Sequence, residues 1–157
     1  MKKLLLALAL GYGIAASAQS KDSTRSTSIK ALVESQNYVF KAQTALPARS
    51  EARLLTEAYS MQISKARIDC DLPYFGRAFT PPIDPSKNGM DFVSKQFDYT
   101  VTPDKKGGWL VVIKPKDVRE DSHKFYLNIT QNGYASLRVI STNEDEISYA
   151  GVIAATN

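Results

Sequence analysis

Phe125-Tyr126-Leu127-Asn128-Ile129-Thr130-Gln131-Asn132-Gly133-Tyr134-Ala135-Ser136-Leu137-Arg138-Val139 decides the fold class. Phe125, Leu127 and Ile129 alternate with polar-tipped neighbours, and so do Ala135, Leu137 and Val139. A strand has a side-chain period of two, so each run places its apolar residues on one face. Asn132-Gly133 between them tolerates positive φ at both positions, the strongest local signal for a tight hairpin. Strands joined so closely must pair antiparallel.

The same grammar extends in both directions. Upstream, Phe97–Val101 and Trp109–Ile113 flank a turn at Asp104–Gly108, and Pro115 ends the second strand. Trp109, Val111 and Ile113 share a face opposite Leu110, Val112 and Lys114. With apolar residues on both sides, this strand is expected to be central, with residues 73–90 or the N-terminal helix covering its second face. Val118–Ser122 is expected to form one helical turn. Farther upstream, Tyr59, Met61 and Ile63 alternate with polar residues, as do Ala66, Ile68, Cys70 and Leu72. A turn at Ser64-Lys65 makes these two runs a hairpin. Tyr38–Thr44 supplies another strand, with Tyr38, Phe40 and Ala42 inward, and Pro47 stops its ladder. Residues 48–57 are charged and carry no assignable period. Downstream of the acidic Glu144-Asp145-Glu146, Ile147–Ile153 is expected as a short edge strand.

Residues 73–90 hold Pro73, Pro81, Pro82, Pro85, Gly76 and Gly89, too many punctuators for one continuous element. The sum is about eight short strands and one short helix, Ser28–Ser35, with Ser28 as its cap and Ile29, Leu32 and Val33 as its buried stripe. Alternation along most strands implies one packed face. The expected class is α+β, a mainly antiparallel β-meander with the helix on the apolar face, the alternative being a closed β-barrel-like sheet.

The first residues imply export. Lys2 and Lys3 precede Leu4–Leu10, and Ala16-Ser17-Ala18 supplies a small-x-small cleavage pattern. The apolar run is too short to span a bilayer. The expected organisation is a signal peptide over 1–18, a flexible leader over 19–27 and one domain over 28–157. The mature chain would be periplasmic or secreted, with no transmembrane segment. Loss of residues 1–18 leaves 139 of 157, enough for one domain with a core of its own. The net charge of +4 falls to +2 when Lys2 and Lys3 leave, which gives no ground for nucleic acid as a partner.

Several blocks carry a resemblance. They are Leu72-Pro73-Tyr74-Phe75-Gly76-Arg77-Ala78-Phe79, Phe97-Asp98-Tyr99, Lys106-Gly107-Gly108-Trp109, Ile113-Lys114-Pro115-Lys116-Asp117 and Asn132-Gly133-Tyr134-Ala135. With Ala31–Ser35 and Tyr38-Val39-Phe40, they resemble an exported Bacteroidota family catalogued as domain of unknown function 4251. The resemblance spans nearly the whole mature chain and implies export and a single domain. It brings no catalytic residue to carry over, and Pro47–Glu57 is richer in charge than that family's pattern.

No catalytic, metal or cofactor site is nominated. Cys70 is the single cysteine and shares the inward parity of Ile68 and Leu72, the mark of a small core residue. His123 is the single histidine, in a charged connection, and is expected at the surface. Asp69 and Asp71 share an outward face with Arg67, which suits ordinary solvated pairing. The residues singled out for binding are Tyr74, Phe75, Arg77 and Phe79, aromatics with an arginine in a connection longer than usual. The expected function is a non-enzymatic binding or adaptor module of the cell envelope, its partner an envelope protein or glycan. The alternatives are a structural envelope protein acting through edge strands or its surface, and a carbohydrate-active enzyme.

Overall fold

The computed structural model describes residues 16–79, 89–118 and 123–156, with side chains from Arg25 onward. Among the described residues one helix, α1 (Ala16–Ser35), precedes ten strands. These are β1 (Tyr38–Pro47), β2 (Arg53–Leu54), β3 (Ser60–Ile63), β4 (Ile68–Pro73), β5 (Gly89–Ser94), β6 (Phe97–Pro103), β7 (Trp109–Pro115), β8 (Lys124–Ile129), β9 (Tyr134–Ile140) and β10 (Ile147–Ala155).

All ten belong to one sheet in the order β5-β4-β3-β1-β10-β9-β8-β7-β6, with β2 attached to β1 beside that path. Every pairing is antiparallel. The path therefore holds an odd number of strands, and its two ends, β5 and β6, run the same way. Parallel neighbours need a long crossover between them. Only Lys95 and Gln96 lie between β5 and β6, so the two cannot pair. The chain instead bends from one into the other, its first half hydrogen-bonded to β4 and its second to β7. The sheet curls into a nearly closed barrel whose seam lies at this bend.

Asp117, just past β7, pins the bend. Its carboxylate accepts from the Ser94 hydroxyl and from the backbone N–H groups of Lys95, at 2.8 Å, and Gln96, at 3.1 Å. The Lys116 N–H reaches the Gln96 carbonyl at 2.7 Å. Hydrogen bonds to the charged form hold the Asp117 carboxyl below the usual carboxylate range, the Ser94 bond contributing most.

The mainly antiparallel sheet with one helix is as the sequence implies, but its near closure matches the barrel alternative rather than an open meander. Most of the inward sets expected from alternation are buried, Met61 with Ile63, Ile68 with Cys70 and Leu72, Phe125 with Leu127, and Leu137 with Val139, whereas Ala66 is exposed in the β3–β4 turn and Tyr59 is only half-buried. β10 is a correction. It is central, paired along its length with β1 and β9, rather than a short edge strand. On β7 the inner residues Val111 and Ile113 are buried and Trp109 packs half-buried against the core. Leu110 and Val112 on its other face stay partly open, so that face is not fully covered, and α1 lies against β10.

The helix is longer than its apolar stripe predicts. It runs from Ala16 through the span expected to be a flexible leader, and Ser28 sits inside it rather than at its cap. Ile29 and Val33 are buried as expected, and Leu32 packs partly against the core. Gln36 ends the helix at φ 51°, its N–H returning to the Val33 carbonyl. Ile29 lies over the Asn132-Gly133 turn. A Cβ at Gly133, where φ is +79°, would come within 2.8 Å of the Ile29 Cδ1, so this turn needs glycine for both its backbone and its roof. Of the sequence expectations, most of the signal segment, the middle of 73–90 and most of the Val118–Ser122 turn lie outside the described residues.

Candidate functional site

The helix covers one end of the β1–β10 ladder, where Tyr38 faces Ala155; the other end, where Pro47 faces Ile147, carries a cleft. Three segments build it. The first follows β1. A bulge between Ala42 and Thr44 shifts the register of β1, which leaves β3 and takes β2 as its neighbour. The Leu55 N–H bonds the bulged Gln43 carbonyl at 2.9 Å, which fixes Arg53 beside the cleft.

The second segment leaves β4. The buried Tyr149 hydroxyl donates to the Pro73 carbonyl at 2.7 Å, anchoring the exit of this strand inside the barrel. Tyr74 then turns back over Gly76, where a Cβ would lie 2.3 Å from the Tyr74 hydroxyl. That hydroxyl is 3.1 Å from the carbonyl oxygens of both Arg77 and Asp145 and shares its proton between them. Burial, then the carboxylates of Glu144 and Asp145, push its pKa up to about 12, so it stays a donor at neutral pH.

The third segment is the β9–β10 connection. It runs beside residues 77–79, with the Asp145 N–H on the Arg77 carbonyl at 3.0 Å and the Phe79 N–H on the Asn143 carbonyl at 2.7 Å. Ala78 and Glu144 form an antiparallel bridge. The Pro-Tyr-Phe-Gly-Arg block is thus stitched to the sheet rather than left as a free loop.

The cleft encloses about 410 Å³ and is lined by Pro47, Ala48, Arg49, Ser50, Arg53, Phe75, Gly76, Arg77 and Asp145. The Arg53 guanidinium sits 4.8 Å over the Phe75 ring, and the Arg49 Nε is 3.5 Å from the Asp145 carboxylate. Of the four residues singled out from sequence, Phe75 and Arg77 line the cleft, Tyr74 braces its wall, and Phe79 is exposed and not part of the lining. Arg49, Arg53 and Asp145 were not among them. The charge in 48–57 was the available signal, but only the bulge and the β9–β10 connection bring these residues to Arg77.

His123 departs from its expected surface position. Its side chain is 10% exposed and stacks on Phe92 of β5, with ring centroids 6.0 Å apart, while Phe125 lies at 5.9 Å. Its Nε2 stands 3.7 Å from Glu144. Cys70 is fully buried, and desolvation pushes its thiol pKa well up, so it holds its proton. Arg67 pairs with Asp69 on the outer face of β4.

Residues 20–153 match the model of a family described as a domain of unknown function, DUF4251. The chain belongs to that family. A crystal structure of a DUF4251 family protein from Bacteroides eggerthii is similar to it, with a TM-score of 0.63 and 14% identity, covering 87% of this chain and 91% of that one. At such identity the likeness speaks to the fold alone. No curated protein matches the chain.

Within this DUF4251 fold the seam is the second candidate feature. Asp104 donates its N–H to the Gly108 carbonyl and Gln96 accepts from Lys116, so even-numbered residues of β6 turn their backbone groups toward β7. The odd-numbered Phe97, Tyr99 and Val101 then present N–H and C=O groups at the outer edge. Among the described residues no strand pairs with that edge. Thr100 to Pro103 are exposed. Inside, the Tyr99 hydroxyl meets the Tyr38 hydroxyl at 3.0 Å and the Val33 carbonyl at 3.5 Å, which ties β6 to β1 and the end of α1. Among the described residues no helix is long and apolar enough to cross a membrane.

Proposed function

We propose that the chain is an exported, periplasmic or secreted association module of the cell envelope, which takes an extended segment of a partner protein along the free edge of β6. The observation that carries this reading is the unpaired edge itself. Natural sheets blunt such edges with charge, proline or cover, because exposed N–H and C=O groups template a further strand. Here Tyr99-Thr100-Val101-Thr102 is an uncharged, β-prone run, and Pro103 comes only at its end. Addition of a strand gives main-chain hydrogen bonds for affinity and leaves side-chain contacts for selectivity. The Tyr99 contacts to Tyr38 and Val33 hold this edge in place before a partner arrives, which lowers the entropic cost of binding.

Val101→Pro tests the reading. It removes an outward N–H and leaves the ladder to β7 intact, since position 101 does not donate across it. Crosslinking in intact cells, followed by mass spectrometry, should recover a partner joined near β6 with the parent chain and lose it with Val101→Pro. The variant should keep a cooperative melt, whereas Thr102→Pro, which removes a ladder bond, should lower the melting temperature. Recovery of only uncrosslinked monomer from the parent, or equal capture by Val101→Pro, would sink the proposal.

A further inference from the structure

Three arginines, Arg49, Arg53 and Arg77, line the cleft at the end of the β1–β10 ladder together with one acid, Asp145. Arg49 and Arg53 come from the segment after β1 and Arg77 from the segment after β4, and Asp145 is engaged by Arg49. The local balance is an excess of two positive charges on an open surface. Solvent screens the mutual repulsion of these exposed charges, and an anion placed among them is attracted by the excess. Each arginine is held: Arg53 by the β1 bulge and its contact with Phe75, the Arg77 backbone by the Tyr74 hydroxyl and the Asp145 N–H on its carbonyl, and Arg49 by the Asp145 carboxylate.

We infer that this cleft is a binding site for an acidic saccharide, its carboxylate held by Arg53 and Arg77 and its ring lodged against Pro47 and Ala48. A guanidinium is planar and presents paired N–H donors that match the two oxygens of a carboxylate. The contact with Phe75 restrains the Arg53 guanidinium, so less rotamer freedom is lost on binding. The volume of about 410 Å³ lies at the low end of small-ligand sites, enough for one or two sugar units. Its lining pairs apolar surface with directional polar groups, as a sugar requires, since a sugar ring has apolar C–H faces and a hydroxyl rim. The Ser50 hydroxyl supplies a neutral partner for that rim. The site does not involve the β6 edge, so the two proposals stand or fall separately.

Isothermal titration of the full mature chain with a galacturonic acid disaccharide tests the inference. Its neutral galactose counterpart and inorganic phosphate serve as the comparison ligands. The acidic disaccharide should bind, the neutral one at least about tenfold more weakly, a difference of ~1.4 kcal/mol. Phosphate should also bind more weakly than the acidic disaccharide, because it meets the guanidinium groups and not the apolar wall. Arg77→Gln and Arg53→Gln should each reduce affinity about tenfold or more, with melting temperatures unchanged because both side chains are exposed. Arg53→Lys keeps the charge but not the stacked plane and should fail to restore binding. Val101→Pro should bind the disaccharide like the parent. Equal affinity for the acidic and neutral disaccharides, phosphate binding as tight as the acidic disaccharide, no binding at all, or affinity unmoved in Arg53→Gln and Arg77→Gln would overturn the inference.

Discussion

Single residues show where inward and outward parity can be trusted. Cys70 was legible because Ile68 and Leu72 flank it at period two, and it lies fully buried between them. Its thiol should resist an aromatic disulfide reagent in the native protein and react at once when the chain is unfolded in denaturant. Rapid native labelling would contradict its place in the core. His123 was not legible, since its stacking partner Phe92 stands on a strand distant in sequence. Asp117 likewise gave no local sign that it would pin the bend between β5 and β6. Its folded pKa is depressed, so its bonds add stability above the ordinary carboxylate range, and that contribution disappears as pH falls through the folded value. Asp117→Asn should therefore melt below the parent at neutral pH, with the difference shrinking as the solution is acidified. Melting curves recorded across that range would show the convergence. Tyr149→Phe removes the only hydroxyl contact described for the Pro73 carbonyl and should cost about 1–3 kcal/mol in denaturant unfolding.

At the level of elements, the three hairpins and β1 were readable, whereas β5 and the central place of β10 were not. β3 with β4, β6 with β7, and β8 with β9 announce themselves by alternation around a turn, and all three pairs form. β5 pairs with β4 across an intervening segment dense in proline and glycine. Its inward set Met90, Phe92 and Ser94 includes a polar residue, which hid its period. Ser94 is buried because Asp117 and the Gln96 carbonyl satisfy its hydroxyl. β10 looked like an edge because it follows an acidic run and closes the described chain, yet its partner β1 lies more than a hundred residues earlier. Helix α1 was read short because residues before Ser28 lack an apolar stripe. The Asn132-Gly133 turn joins β8 to β9 beneath the helix and offers a direct test. Gly133→Ala sets a side chain at φ +79° and against Ile29, which should cost about 1–3 kcal/mol. Chemical denaturation measures that loss, and an unchanged midpoint would contradict the need for glycine at this turn.

For the whole molecule, the odd number of strands on the path leaves the barrel with a seam, and the two ends of the β1–β10 ladder do different jobs. The cleft lies at one end, built from connections whose meeting could not be read from sequence. The helix lies at the other and contributes Ile29 and Val33 to the core. Export with cleavage after Ala18, proposed above, is compatible with that division, because both residues follow the cleavage point. A chain beginning at Gln19 should keep the full core and melt like one that retains residues 16–18. A chain beginning at Gln36 loses both side chains. Burial of each is worth about 1.5–3 kcal/mol, so their joint loss is a large share of the 5–15 kcal/mol typical of a domain. It also removes the Val33 carbonyl that the Tyr99 hydroxyl approaches, loosening β6 at the seam. The shortened chain should therefore bind a hydrophobic dye and exchange the amides of β6 faster, while those of β8 and β9 remain protected. Hydrogen exchange resolved by strand distinguishes this from general unfolding. Uniform loss of protection across β6, β8 and β9 would show that the helix holds the entire barrel, and undiminished protection in β6 would show that it does not support the seam.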